Sequence, residues 1–104
     1  MTCNEIIKFI EDWAPKEIAW QNDNIGVQVG NTNKKVTNIL IVLELTADVV
    51  NRAIKKNCNL IITHHPLIFH PLKNLEINTN SDSQLIARLI KKDIVLYSAH
   101  TNLD

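Results

Sequence analysis

Glycine and cysteine are scarce in this chain: 104 residues hold two of each. Cys3 and Cys58 have no zinc-like spacing, and Cys58, directly ahead of an apolar run, reads as a small core residue. Gly26 and Gly30 match neither a P-loop nor a dinucleotide fingerprint, and no helix start follows them directly. They read as turn or close-packing positions, with Asp23 and Asn24 as turn formers beside them. A surplus of one charge is also missing, since eleven basic residues balance eleven acidic ones. Without a basic stripe, neither nucleic acid nor an anionic membrane is expected as a partner. No apolar run reaches membrane-spanning length, and "MTCNEIIKFIEDW" is acidic where a signal peptide would be basic. A cytoplasmic protein is the expectation. Repeats and low-complexity segments are absent as well.

What is present is a globular composition, 45% hydrophobic and 21% charged, expected to form a single α/β domain over residues 1–104. "TCNEIIKFIEDW" carries a capping-box pair, Thr2 and Glu5, and apolar residues at helical spacing, closed by Pro15. Ile25, Val27 and Val29 alternate as a short strand. "VTNILIVLEL" is apolar on both faces, as for a strand covered by helices on both sides. Thr46 can cap the helix "ADVVNRAIKKN". Strand "NLIIT", a proline- and asparagine-containing loop, a helix opened by Ser81 and Gln84, and strand "DIVLYSA" follow. The pairs Lys55-Lys56 and Lys91-Lys92 sit where cations offset a helix dipole. Strands alternating with helices argue a layered α/β fold, its sheet largely parallel with helices on both faces.

This order carries a functional expectation, because ligands in open α/β sheets collect beyond the carboxyl ends of the strands. Glu44 ends the first long strand, His64 and His65 end the second, and His100 to Asp104 follow the last. If these strands are parallel neighbours, all three sets meet at one sheet edge. Adjacent histidines at a strand end point in different directions. They therefore suit two ions, or one ligand and one support, and a dinuclear centre with metals roughly 3.5–4 Å apart fits. Pro66 restricts the backbone at His65, and Asp104 adds a hard oxygen donor. The plain alternative is a set of polar residues at exposed strand ends. A serine triad is the weaker reading, since Ser98 lies inside a strand and not on a nucleophile elbow, with nothing to activate it. His70, in the loop, reads as a solvated or supporting residue.

"DNIGVQVG", "LIITHHPLIF" and "YSAHTNLD", in this order and spacing, resemble the GTP cyclohydrolase 1 type 2 homologue family, the Nif-three-like proteins, over about Ala14 to Asp104. The resemblance implies a cytoplasmic α/β protein with two divalent metal ions (zinc, manganese, iron or nickel) in a ring-like homo-oligomer, usually a hexamer. By motif, His64 and His65 match the family's paired metal-binding histidines and Asp104 its first carboxylate ligand. His100 matches the leading histidine of the last motif, a near-site supporting position. Two positions depart from the pattern: Asn22 stands where Trp is usual, and Glu44 where Asp is common. Family members are also longer, with a further His and Glu from their C-terminal part, so this chain resembles their N-terminal portion. Two functions follow from the resemblance. One is a metal-dependent hydrolase opening the guanine imidazole ring of a purine nucleotide, with a proton-moving residue not identified in this chain. The other is a metal-binding or oligomeric scaffold without turnover.

Overall fold

The computed structural model describes residues 1–18, 24–68 and 70–100. Helix α1 (Cys3–Trp13) starts at the expected capping box, with the Thr2 hydroxyl accepting from Glu5 N–H and the Glu5 carboxylate accepting from Thr2 N–H. A 3₁₀ turn (Lys16–Ile18) leads toward β1 (Gly26–Val29) and β2 (Ile39–Val42). Then α2 (Ala47–Lys55), β3 (Leu60–Thr63), α3 (Ser81–Lys91) and β4 (Val95–Ser98) complete the order. Thr46 caps α2 as expected. The cap of α3 falls one residue before Ser81, because the Asn80 side chain accepts from Ser83 N–H. Ser81 is instead the first helical residue, and the Gln84 side chain reaches back to the Ile77 carbonyl.

The shortage of glycine shows at the helix ends. α2 and α3 both stop in a Schellman arrangement, with Cys58 N–H bonded to Ala53 O (2.8 Å) and Ile94 N–H to Leu89 O (2.9 Å). The left-handed position that glycine usually fills is taken by Asn57 (φ 56°) and Asp93 (φ 54°), residue types that tolerate it best after glycine. Each turn then delivers the chain directly into the following strand. The two glycines are used elsewhere. Gly30 has φ +111°, and a Cβ there would lie 3.0 Å from Val95 Cα, so both the conformation and the close approach of β4 require glycine.

The sheet order is β1-β4-β3-β2, with β2, β3 and β4 parallel and β1 antiparallel to β4. This is the largely parallel sheet expected. α2 and α3 pack on one face, against Ile61, Leu96, Val29 and the half-buried Leu40 and Val42. α1 packs on the other, where Cys3 and Ile7 meet Leu60, Val95, Tyr97 and Ala99. The expectation that the β2 segment is covered on both faces is corrected. β2 is an edge strand whose residues alternate between exposed and half-buried, and Ile41 is 73% exposed. Width explains it: a helix about 10 Å across spans about two strands spaced about 4.8 Å apart. α1 therefore covers β4 and β3 and leaves Ile39, Ile41 and Leu43 bare. Among the described residues, no helix is long and apolar enough to cross a membrane.

Candidate metal centre

Parallel pairing of β2, β3 and β4 brings their carboxyl ends together, and the paired histidines follow directly from β3. The hydrogen-bond ladder continues past the strand. His64 N–H donates to Leu43 O (3.1 Å) and Val42 O (3.3 Å), His65 N–H to Leu43 O (2.9 Å), and Ala99 N–H to Thr63 O (3.0 Å). The dipeptide is thus held from the β2 side and the β4 side at once. Two hydroxyls complete the arrangement. Ser98 Oγ donates to the His64 carbonyl (3.2 Å) and Thr63 Oγ1 to the His65 carbonyl (2.9 Å).

The His64 ring is oriented by its own hydrogen bond. Its Nδ1 lies 2.9 Å from the Ala99 carbonyl oxygen. A carbonyl only accepts, so Nδ1 carries the proton, and in the neutral ring Nε2 holds the lone pair. This is the arrangement by which metal-ligating histidines are fixed in tautomer and direction. The rings of His64, His65 and His100 form a triangle with centroids 5.0–5.4 Å apart, each pair tilted by 55–59°. His64 and His100 are half-buried and His65 is exposed. Beside His65 a pocket of about 230 Å³ is lined by Glu44, Leu45, Pro66, Leu67 and Asp82. The ends of all three parallel strands thus meet at this edge, as the order of elements implied.

Among the described residues, no three or more His, Cys, Asp or Glu side chains are placed to hold one metal ion. Asp104 lies outside the described residues. The donors in place are imidazoles, one with its distal nitrogen presented by a backbone carbonyl. That set fits part of a divalent-metal shell and does not fill one. His70 sits exposed in the loop. Ser98 is fully buried at the end of β4, and its hydroxyl bonds to the His64 carbonyl.

Local sequence pattern does not single out the groups that hold the histidines. Thr63 and Ser98 are buried and directly opposite each other in the β3–β4 register. A hydroxyl residue closing each of two apolar strands was the available signal. Asn24, assigned only to a turn, donates through its side chain to Ile68 O, and the Gln28 side chain accepts from Ile68 N–H (3.1 Å). The β1 side of the sheet therefore fastens the segment that follows Pro66.

Fold and edge together define an α/β domain that gathers histidines beyond the carboxyl ends of parallel strands. The chain belongs to the Duf34/NIF3 (NGG1p interacting factor 3) family, whose description matches residues 1–104. A Bacillus subtilis relative named GTP cyclohydrolase 1 type 2 homolog is 41% identical over 100 residues, covering 96% of this chain and 26% of that protein. A Methanocaldococcus jannaschii relative of the same name is 43% identical over 105 residues, covering all of this chain and 42% of that protein. Among solved structures, a Bacillus cereus protein related to NIF3 superposes with a TM-score of 0.95 at 44% identity, covering all of this chain and 28% of that one. Reduced HcgD from Methanocaldococcus jannaschii superposes at 0.91 with 43% identity, covering all of this chain and 41% of that one. The chain therefore spans about a quarter to two-fifths of the length of the curated relatives it matches.

Proposed function

We propose that this chain supplies the histidine side of a two-metal centre in a hydrolase acting on a purine nucleotide. His64, His65 and Asp104 would hold the ions, zinc, manganese, iron or nickel, with His100 beside them. The observation that carries the reading is the Ala99 carbonyl accepting from His64 Nδ1–H, which sets the tautomer and ring direction as at metal-ligating histidines. The relatives' name, GTP cyclohydrolase 1 type 2 homolog, supports the substrate class. Bound metal would supply Lewis acidity and a water acidic enough to attack near neutral pH. The chain's own residues do the rest: the edge of the sheet fixes the imidazoles, and the pocket of Glu44, His65 and Asp82 provides an adjoining wall with two carboxyl groups. Opening a guanine ring at C8 would take two hydrolytic C–N cleavages, consume two waters and release C8 as formate. A homo-oligomer, by family resemblance a hexamer, in the cytoplasm completes the proposal.

A second reading is a metal-binding or oligomeric scaffold without turnover. Elemental analysis run beside a formate assay with GTP separates the two. Bound metal with formate release supports the hydrolase; bound metal without release from any purine nucleotide supports the scaffold. No metal at all refutes the hydrolase and the metal-binding scaffold and leaves only the oligomeric one.

A further inference from the structure

We infer that Thr63 and Ser98 are positioning residues that aim the paired histidines through the backbone; the inference rests on the reading of His64 and His65 as metal ligands. All four backbone polar groups of the dipeptide are engaged. The two N–H groups go to Val42 and Leu43 carbonyls, and the two carbonyls accept from Ser98 Oγ and Thr63 Oγ1. Each hydroxyl governs a different peptide plane. Ser98 holds the 64–65 plane, whose rotation would swing both rings together, and Thr63 holds the 65–66 plane, already narrowed by Pro66. The 63–64 plane is held by Ala99 N–H on one side and the Val42 and Leu43 carbonyls on the other.

The two hydroxyls are not independent. Thr63 and Ser98 are Cα partners in parallel register and share the sheet face of Ile61 and Leu96. They are the buried polar residues of β3 and β4, 1% and 0% exposed. A buried hydroxyl in a strand otherwise filled by Leu, Ile, Val and Tyr is costly unless bonded, and both bonds go to the histidine pair. The network closes on itself, because Ala99 follows Ser98 and its carbonyl receives His64 Nδ1–H. One strand end therefore sets both the backbone and the ring of His64.

The test uses Ser98→Ala and Thr63→Val, with Ser98→Thr and Thr63→Ser as hydroxyl-retaining rescues. Tyr97→Phe serves as a control that alters β4 on the opposite face. In the metal-free full chain, long-range ¹⁵N–¹H correlation of the imidazoles reads the His64 tautomer, and zinc titration by calorimetry reads affinity. The expected result is loss of the single Nδ1–H tautomer in Ser98→Ala. Zinc binding should weaken about ten-fold or more in both hydroxyl-free variants, the scale of second-layer effects at metal sites. Rescue variants and Tyr97→Phe should keep the wild-type tautomer and affinity. Folded Ser98→Ala with an unchanged tautomer and unchanged zinc affinity would overturn the inference. If the wild-type chain takes up no zinc while Ser98→Ala still shifts the tautomer, the metal reading fails and the positioning role stands. Should Thr63→Val not fold, Ser98→Ala, which deletes one oxygen, decides the matter alone.

Discussion

Replacing Tyr97 with Phe should destabilise the fold by about 1–2 kcal/mol, near the lower end of the range for hydrogen bonds to charged groups. Tyr97 is fully buried on β4, and its hydroxyl donates to Glu11 Oε2 on α1 at 3.0 Å. It ties the helix layer to the strand that carries the site. The lower end applies because the Glu11 side chain is 30% exposed and has Lys16 at 3.8 Å, so its carboxylate remains solvated after the change. Phe fills the same volume, so no cavity contribution adds to the cost. Tyr97→Ala removes the ring as well and should cost about 3–5 kcal/mol, a large part of a small domain's stability. Urea unfolding is the assay. The midpoint should fall with the slope unchanged, and Tm should drop by roughly 4–8 °C per kcal/mol for a domain of this size. Alkaline pH offers an independent check, since burial, then the nearby Glu11 charge and its hydrogen bond, push the Tyr97 hydroxyl well above its ordinary pKa. A raised folded-state pKa contributes stability that is complete below the unfolded value and is lost as pH rises past it. Wild type should therefore lose stability above about pH 10, and Tyr97→Phe should lose less over the same range. A Phe variant as stable as wild type, with the same alkaline slope, would refute the account of this bond.

His64→Ala and His65→Ala are each expected to lower bound metal by about one ion, if the two serve different metals; full metal content in both, by elemental analysis, would remove them from the ligand set. Gly30→Ala should cost about 1–3 kcal/mol in thermal or urea unfolding, since φ is +111° and Val95 Cα stands 3.0 Å from the added carbon. Thr2→Ala should cost about 1 kcal/mol at neutral pH. The Thr2 hydrogen bonds, backbone first, hold the Glu5 carboxyl below its ordinary pKa. The stability associated with the Glu5 carboxylate is therefore present above the unfolded value and fades as pH falls through the lower folded one; a Glu5→Gln variant with an equal deficit at pH 7 and pH 2 would contradict this. Ile41→Thr, at a 73% exposed edge position, should change stability by less than about 0.5 kcal/mol while reducing aggregation read by light scattering.

The amino-acid sequence by itself determined whatever depends on neighbours a few residues apart. The Thr2–Glu5 capping box and the Thr46 cap are local patterns, and each formed where the pattern put it; the apolar stripes of α1 and α3 did so in part, since Phe9, Trp13 and Ile90 are exposed. The alternation of strands and helices also carried the convergence of Glu44, the histidine pair and His100, because right-handed crossovers leave parallel strands few ways to neighbour one another. Tertiary structure decided what depends on pairing across the chain. The antiparallel placement of β1, the exposure of Ile41 on an edge that a single helix cannot reach, and the opposition of Thr63 to Ser98 are all matters of strand order and register. An apolar run looks the same in sequence at the centre of a sheet and at its edge. A serine closing a strand looks like any strand serine until the neighbouring strand brings the His64 carbonyl within 3.2 Å of its hydroxyl.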